Sequence, residues 1–272
     1  MIKADIHMHS QYSGDSNEPT ENMIQSAIQK GLNTICITEH MDIDYPVSPS
    51  TPEGFFTLDT DRYYPHLIEL KNKYADSIEV LLGVELGLQP HLASYHAEYV
   101  KKYPFDFVIG SEHTTNRKDP YYPSFYEGRS EYDAYSEYFQ DIVTNLEFFR
   151  DIDTLGHLDY VVRYGPNANK NFTYSLYGDY IDAVLRILVD NGIGLEVNSS
   201  GYKYGLCAPN PCKDILLRYK EFGGSVITVG SDAHDAARIG ADFDKVKSLL
   251  EECGFKYYCV FRSRKPEYIP LL

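Results

Sequence analysis

The chain has 272 residues, of which 43% are hydrophobic and 24% charged, and it carries a formal net charge of −15. This is an ordinary globular composition that excludes extensive disorder, and the length suits one domain, 1–272, with a large core. So acidic a balance argues against a nucleic-acid-binding surface, because phosphate backbones need a basic footprint. Bound divalent cations would offset part of it locally.

The opening Ile2-to-Ile6 segment reads as a strand and runs into His7-Met8-His9. Met23, Ile24, Ala27 and Ile28 follow at helical spacing, with Gly31 as the stop. Ile35-Cys36-Ile37 is the continuous apolar run of a buried parallel strand, and it ends at Thr38-Glu39-His40. Residues 41–60 carry Pro46, Pro49, Pro52 and Gly54 and form a long loop before a helix near 61–75.

Val80-Leu81-Leu82 leads into Gly83-Val84-Glu85, and a helix is expected near 92–102. Phe107-Val108-Ile109 ends at Ser111-Glu112-His113, followed by a second long loop, 114–129. Ser130 begins a Ser-x-x-Asp box before Tyr135, Phe139, Ile142 and Leu146, which share one helical face. Thr154-Leu155-Gly156 is a short strand before His157. The stripe Ile181, Val184, Leu185, Leu188 closes at Asn191-Gly192. The strand Gly194-to-Val197 ends near Glu196 and Asn198, and Val226-to-Val229 runs into Ser231-Asp232-Ala233-His234. Helices near 211–222 and 240–253 complete the pattern. Strand and helix alternate seven times without an internal repeat, which predicts a parallel sheet wrapped by helices.

The five cysteines contain no CxxC pair. Cys36 reads as a small core residue, and Cys207 with Cys212 lacks the second pair that a zinc site needs. Free thiols fit a reducing compartment. The N-terminus has no secretory h-region and no run of ~18 apolar residues occurs. A cytoplasmic protein with no membrane association is expected.

In a parallel α/β barrel the C-terminal strand ends meet on one rim, so the groups that follow these strands would gather there. Of nine histidines, six, His7, His9, His40, His113, His157 and His234, sit at or just beyond strand ends, while His66, His91 and His96 read as ordinary surface or helix residues. Period-two geometry sends His7 and His9 to one face, where one metal can take both. A lone His-x-His is weak evidence and a core pair would explain it; the other strand ends give it force. Glu85 alone could be a solvated loop residue, but beside imidazoles it suits a bridge between two cations. Asp232 and His234 repeat the period-two logic, whereas Asp15 in Ser13-Gly14-Asp15 is also plain turn chemistry. Among 25 tyrosines, Tyr121, Tyr122 and Tyr126, with Phe125, are candidates to wall a pocket.

Taken together, Asp5-x-His7-x-His9-Ser10, Thr38-Glu39-His40, Gly83-x-Glu85, Ser111-x-His113, Gly156-His157-x-Asp159 and Gly230-Ser231-Asp232-Ala233-His234 resemble the PHP (polymerase and histidinol phosphatase) family. The likeness covers essentially the whole chain. Gly156-His157-Leu158-Asp159 with Arg163-Tyr164, and Glu196-Val197-Asn198-x-x-Gly201, are most similar to the stand-alone histidinol-phosphate phosphatases of that family. The resemblance implies a distorted (β/α)7 barrel, a TIM-barrel-like α/β fold, with three divalent metal ions at the strand ends. One ion would take His7, His9, Glu85 and Asp232. A second would share Glu85 and add His113 and His157. The third would take Asp15, His40 and His234.

Mixed nitrogen and oxygen ligation suits zinc, iron or manganese. The implied activity is hydrolysis of a small-molecule phosphate monoester, L-histidinol phosphate, in histidine biosynthesis. A metal-bound water acidified toward neutrality would supply hydroxide, with His7, His9, Glu85, Asp232 and His234 as the catalytic groups. Arg163, Lys203 and Arg117 are the candidate phosphate contacts, against the plainer reading of Arg163 as a surface ion pair. Asp42, Asp44 and Glu112 could meet the substrate amine or orient metal-bound histidines. Two rival readings are another PHP phosphoesterase acting on nucleotide or small-metabolite phosphates, and a non-catalytic metal-binding regulatory module.

Overall fold

Strands buried on both faces must be apolar along their whole length, and here such runs pair side by side. In the computed structural model, which describes residues 1–271, β1 (Ala4–Asp5), β2 (Thr34–Met41), β3 (Glu79–Gly87), β4 (Phe107–Ser111), β5 (Thr154–Leu155), β6 (Gly194–Asn198) and β7 (Ile227–Gly230) form one parallel sheet in sequence order. The sheet curls on itself. Ile6 N–H donates to Val229 O (3.3 Å), Asp232 N–H to His7 O (2.8 Å) and His9 N–H to Ala233 O (2.9 Å), which closes a seven-stranded barrel along the β1–β7 seam. Helices α1 (Thr20–Gln29), α2 (Thr60–Lys73), α3 (Ala93–Lys102), α4 (Glu131–Phe148), α5 (Tyr174–Asn191), the single turn α6 (Ser200–Lys203), α7 (Lys213–Glu221) and α8 (Phe243–Glu252) lie between the strands. The α/β barrel expected from the sequence is the observed fold.

Local signals act where they were read. Ser130 Oγ accepts from Asp133 N–H (3.1 Å) at the start of α4, satisfying a backbone donor that the helix itself leaves free. Gly192 ends α5 in the left-handed region, φ 69°, where a side chain would be strained. The first strand is shorter than expected, with Ala4–Asp5 as its regular ladder and one further bridge from Met8 to Ala233. His96 is fully buried on α3, its Nε2 3.2 Å from Gly87 O.

A C-terminal antiparallel hairpin, β8 (Tyr257–Arg262) with β9 (Lys265–Pro270), was not expected. Its two-residue turn puts Ser263 and Arg264 at φ 49° and 65°. Such turns usually carry Asn or Gly, so the ordinary hairpin signal is absent. The hairpin docks at the N-terminal end of the barrel: Arg264 Nε donates to Asp153 Oδ2 (2.6 Å) and Arg262 Nη2 to Glu79 Oε2 (2.6 Å). The opposite rim stays free for chemistry. No helix of the described residues is long and apolar enough to cross a membrane.

Ser130→Ala removes one cap bond on an exposed turn. Urea unfolding is expected to show a loss of about 1 kcal/mol with an unchanged slope; an unaltered midpoint would deny the cap a role.

Candidate metal centre

Strand register decides which groups meet. His40 on β2 stands directly beside Glu85 on β3, and the β1–β7 seam sets the His7–His9 segment against Asp232 and His234. Glu85 is fully buried and forms the hub. Its Oε1 lies 2.9 Å from His157 Nε2, 3.2 Å from His113 Nε2 and 3.4 Å from His7 Nε2. Its Oε2 lies 3.0 Å from His40 Nδ1 and 3.4 Å from His9 Nε2. Asp232 Oδ1 completes one group at 3.5 Å from His9 Nε2 and 3.9 Å from His7 Nε2. Four donors around one ion at about 2.1 Å would be separated by about 3.4 Å, and these spacings match. On the outer side Asp15 Oδ2 is 3.0 Å from His234 Nε2 and 3.7 Å from His40 Nε2. Asp15 is the most open of these groups, with 40% of its side chain exposed.

The donor atoms fit cations better than they fit one another. His7 Nε2 and His9 Nε2 face each other at 3.2 Å. His7 Nδ1 contacts Glu196 Oε1 (2.6 Å) and His9 Nδ1 contacts Ser13 Oγ (3.2 Å). With Nδ1 as the donor in each ring, two lone pairs share one space, which a cation between them relieves. Glu85 Oε2, His40 Nδ1 and His234 Nε2 are buried without a hydrogen-bond partner. His7, His9 and Glu85, then Glu85, His113 and His157, then His9, His40 and His234, each bring three donors within metal-binding reach.

A PHP domain model matches residues 5–200. The chain belongs to the PHP domain family. A probable histidinol-phosphatase from Clostridium acetobutylicum is 35% identical, with 93% of this chain and 94% of that protein covered. A histidinol-phosphatase from Lactococcus lactis is 30% identical, covering 97% and 96%. The solved histidinol phosphate phosphatase of Lactococcus lactis, complexed with zinc, L-histidinol and phosphate, aligns with a TM-score of 0.88 at 29% identity over 97% of this chain and 98% of that one.

Around the PHP donors a second layer fixes their orientation. Glu196 Oε1 holds His7, and Glu196 Oε2 accepts from His157 N–H (2.8 Å). Asp42 Oδ1 holds His113 Nδ1 at 2.7 Å. Ser13 donates to Glu39 Oε2 (2.5 Å) and so presents a lone pair to His9. Burial opposes charge on His7, His40 and His113, yet the carboxylates facing them win: Glu196 and Glu85 for His7, Asp15 and Glu85 for His40, Asp42 and Glu85 for His113. All three imidazoles are raised well above the usual histidine range. Burial alone would raise Glu85, but His7, His113 and His40 hold it well below the carboxylate range. His9, buried among His40 and His234, falls to about 3 and stays neutral.

Beside the donors lies a cavity of about 470 Å³, open to solvent, walled by Tyr45, Phe56, Tyr160, Arg163, Tyr164 and Tyr204. Arg163 is buried, not a surface ion pair. Two expected phosphate contacts fall elsewhere. Arg117 points along the surface to Asp44 (3.5 Å), and Lys203 is exposed against the Tyr204 ring. Arg117 follows a left-handed Asn116 that turns it away from the mouth. Phe125 and Tyr126 pack in the core, and the aromatic wall comes from the segments after β2, β5 and β6. Glu112 faces Asn145 and Thr115, away from the cavity.

Because metals need neutral imidazoles, ions must displace protons from the raised histidines. Zinc binding to metal-free protein is expected to release protons near pH 7, and affinity should weaken about tenfold per pH unit for each proton displaced as pH falls. Calorimetry in two buffers of different ionisation enthalpy measures this; equal heats in both would contradict it.

Proposed function

We propose that this chain is a histidinol-phosphatase, a metal-dependent phosphomonoesterase that hydrolyses L-histidinol phosphate to L-histidinol and phosphate. The observation that carries the reading is the buried Glu85 carboxylate shared among five imidazoles beside a buried arginine and an aromatic cavity. The named relatives and the Lactococcus lactis structure with zinc, L-histidinol and phosphate support the substrate.

His7, His9, Glu85 and Asp232 would hold one divalent ion, Glu85, His113 and His157 a second, and Asp15, His40 and His234 a third. Zinc, iron or manganese suits such mixed ligation. When bound, the ions would supply an acidified water and positive charge for the phosphoryl oxygens.

The chain's own residues do the rest. Arg163 uses three of its five N–H groups on protein acceptors: Nε on Asn210 Oδ1 (2.8 Å), Nη1 on Asp232 Oδ2 (3.2 Å) and Nη2 on Asn198 Oδ1 (3.2 Å). The two that remain suit phosphoryl oxygens, and the tethered fork need not reorganise as charge develops. Glu196, Asp42 and Ser13 accept at Nδ1 of His7, His113 and His9, so that Nε2 of each ring is the nitrogen that would face a bound cation. No serine or cysteine lines the cavity among the described residues, so attack by water fits better than a covalent phospho-enzyme. Tyr160, Tyr164 and Phe56 line the cavity and would supply an aromatic wall for the imidazole of the substrate.

Phosphate release from L-histidinol phosphate, beside a panel of sugar and nucleotide monophosphates, tests the assignment. Turnover of the first is expected to dominate and to vanish on chelation. A flat panel would sink the substrate, and activity surviving full metal removal would sink the mechanism. His157→Ala should abolish turnover with only modest loss of stability, since the ring lines the cavity beside Glu85 and not the apolar core; unchanged kinetics would remove His157 from the site.

A further inference from the structure

Behind Arg163 lies a chain of hydrogen bonds with a single possible polarity. Asp159, two residues beyond His157 and fully buried, accepts from Asn210 Nδ2 (2.5 Å) at Oδ1 and from Cys212 N–H (3.1 Å) at Oδ2. Asn210, also fully buried, turns its Oδ1 to Arg163 Nε at 2.8 Å. A guanidinium can only donate and an ionised carboxylate can only accept. The amide between them therefore has one orientation, oxygen toward Arg163 and nitrogen toward Asp159. Asn210 is further tied by paired backbone bonds to Asn198, whose Oδ1 takes Nη2 of the same arginine. The Tyr160 and Tyr204 rings lie 5.1 and 5.0 Å from the guanidinium carbon. These contacts leave the fork very little freedom.

We propose that Asp159 is a positioning residue for phosphate binding, acting through the Asn210 amide to aim the free N–H groups of Arg163 into the cavity. Asp159 itself neither lines the cavity nor belongs to a group of metal donors. The proposal rests on the reading of Arg163 as the phosphoryl contact, and it extends that role to two residues outside the cavity. In Asp159→Asn the new amide has one oxygen for two donors, Cys212 N–H and Asn210 Nδ2; when the oxygen serves Cys212, its NH2 meets that of Asn210, and this repulsion favours turning the Asn210 oxygen away from the arginine.

The test is inorganic phosphate binding to the zinc-loaded protein by calorimetry, which needs no turnover and so separates failure here from failure of the histidinol phosphate assignment. Asp159→Asn is expected to weaken phosphate about tenfold or more, while zinc content and the inhibition constant of L-histidinol stay as in the unaltered protein. Within an Arg163→Met background the same change should cost nothing further, because residues acting through one group do not add. Asn210→Ala cuts the link without altering Asp159 and serves if the first variant does not fold; the same tenfold loss is expected. Undiminished phosphate binding in a folded Asp159→Asn or Asn210→Ala protein would overturn the proposal. So would a loss that adds in full to that of Arg163→Met, or one matched by an equal loss of zinc, either of which marks a merely structural role.

Discussion

A fully buried carboxylate surrounded by imidazoles is the constraint on which the rest of this molecule turns. Taking the charge of Glu85 out of water costs several kcal/mol unless partners compensate. The protein supplies five ring nitrogens within 3.4 Å of its two oxygens. In metal-free form three of those rings, His7, His40 and His113, compensate by holding protons; with cations bound they would give up the protons and serve as ligands. The same geometry therefore serves stability without metal and chemistry with it. Carboxylates that orient the outer nitrogens, Glu196 and Asp42, make both states possible.

Barrel closure and site assembly are one event. The hydrogen bonds that join the first strand to the last run through His7, His9, Asp232 and Ala233. Asp5 reinforces that seam by accepting from Ser231 Oγ (2.5 Å), Ser231 N–H (3.0 Å) and Gly240 N–H (2.8 Å). Gly230 has no room for a side chain there: a Cβ would stand 2.3 Å from that of His7 and 2.6 Å from Glu196 Oε1. Close backbone approach at the seam is what lets donors from the two chain ends share a site. The hairpin seals the other end of the barrel, so the C-terminal rim, with its two long loops, carries the open cavity.

Much of this was legible from residue type and order. Continuous apolar runs such as Ile35-Cys36-Ile37 announce strands buried on both faces, and histidines placed after them converge because parallel strands share a direction. Other features were illegible for definite reasons. Arg117 and Lys203 have suitable charge at suitable places in the chain, yet the backbone turns each outward. Tyr204, next to Lys203, lines the cavity instead, at its exposed edge. Asn210 lies 47 residues from the arginine it holds, in a segment without a motif. The hairpin turn at Ser263-Arg264 lacks the glycine or asparagine that usually reveals one.

Sequence by itself determined the kind of fold, the rim on which the metal donors gather and the chemical class of those donors, because periodicity and residue type act locally and repeat along the chain. Tertiary structure alone decided which oxygen of Glu85 faces which ring, which cation reaches the cavity and which aromatic rings wall it. Those outcomes depend on register, side-chain direction and loop path, quantities set by packing between segments distant in the chain.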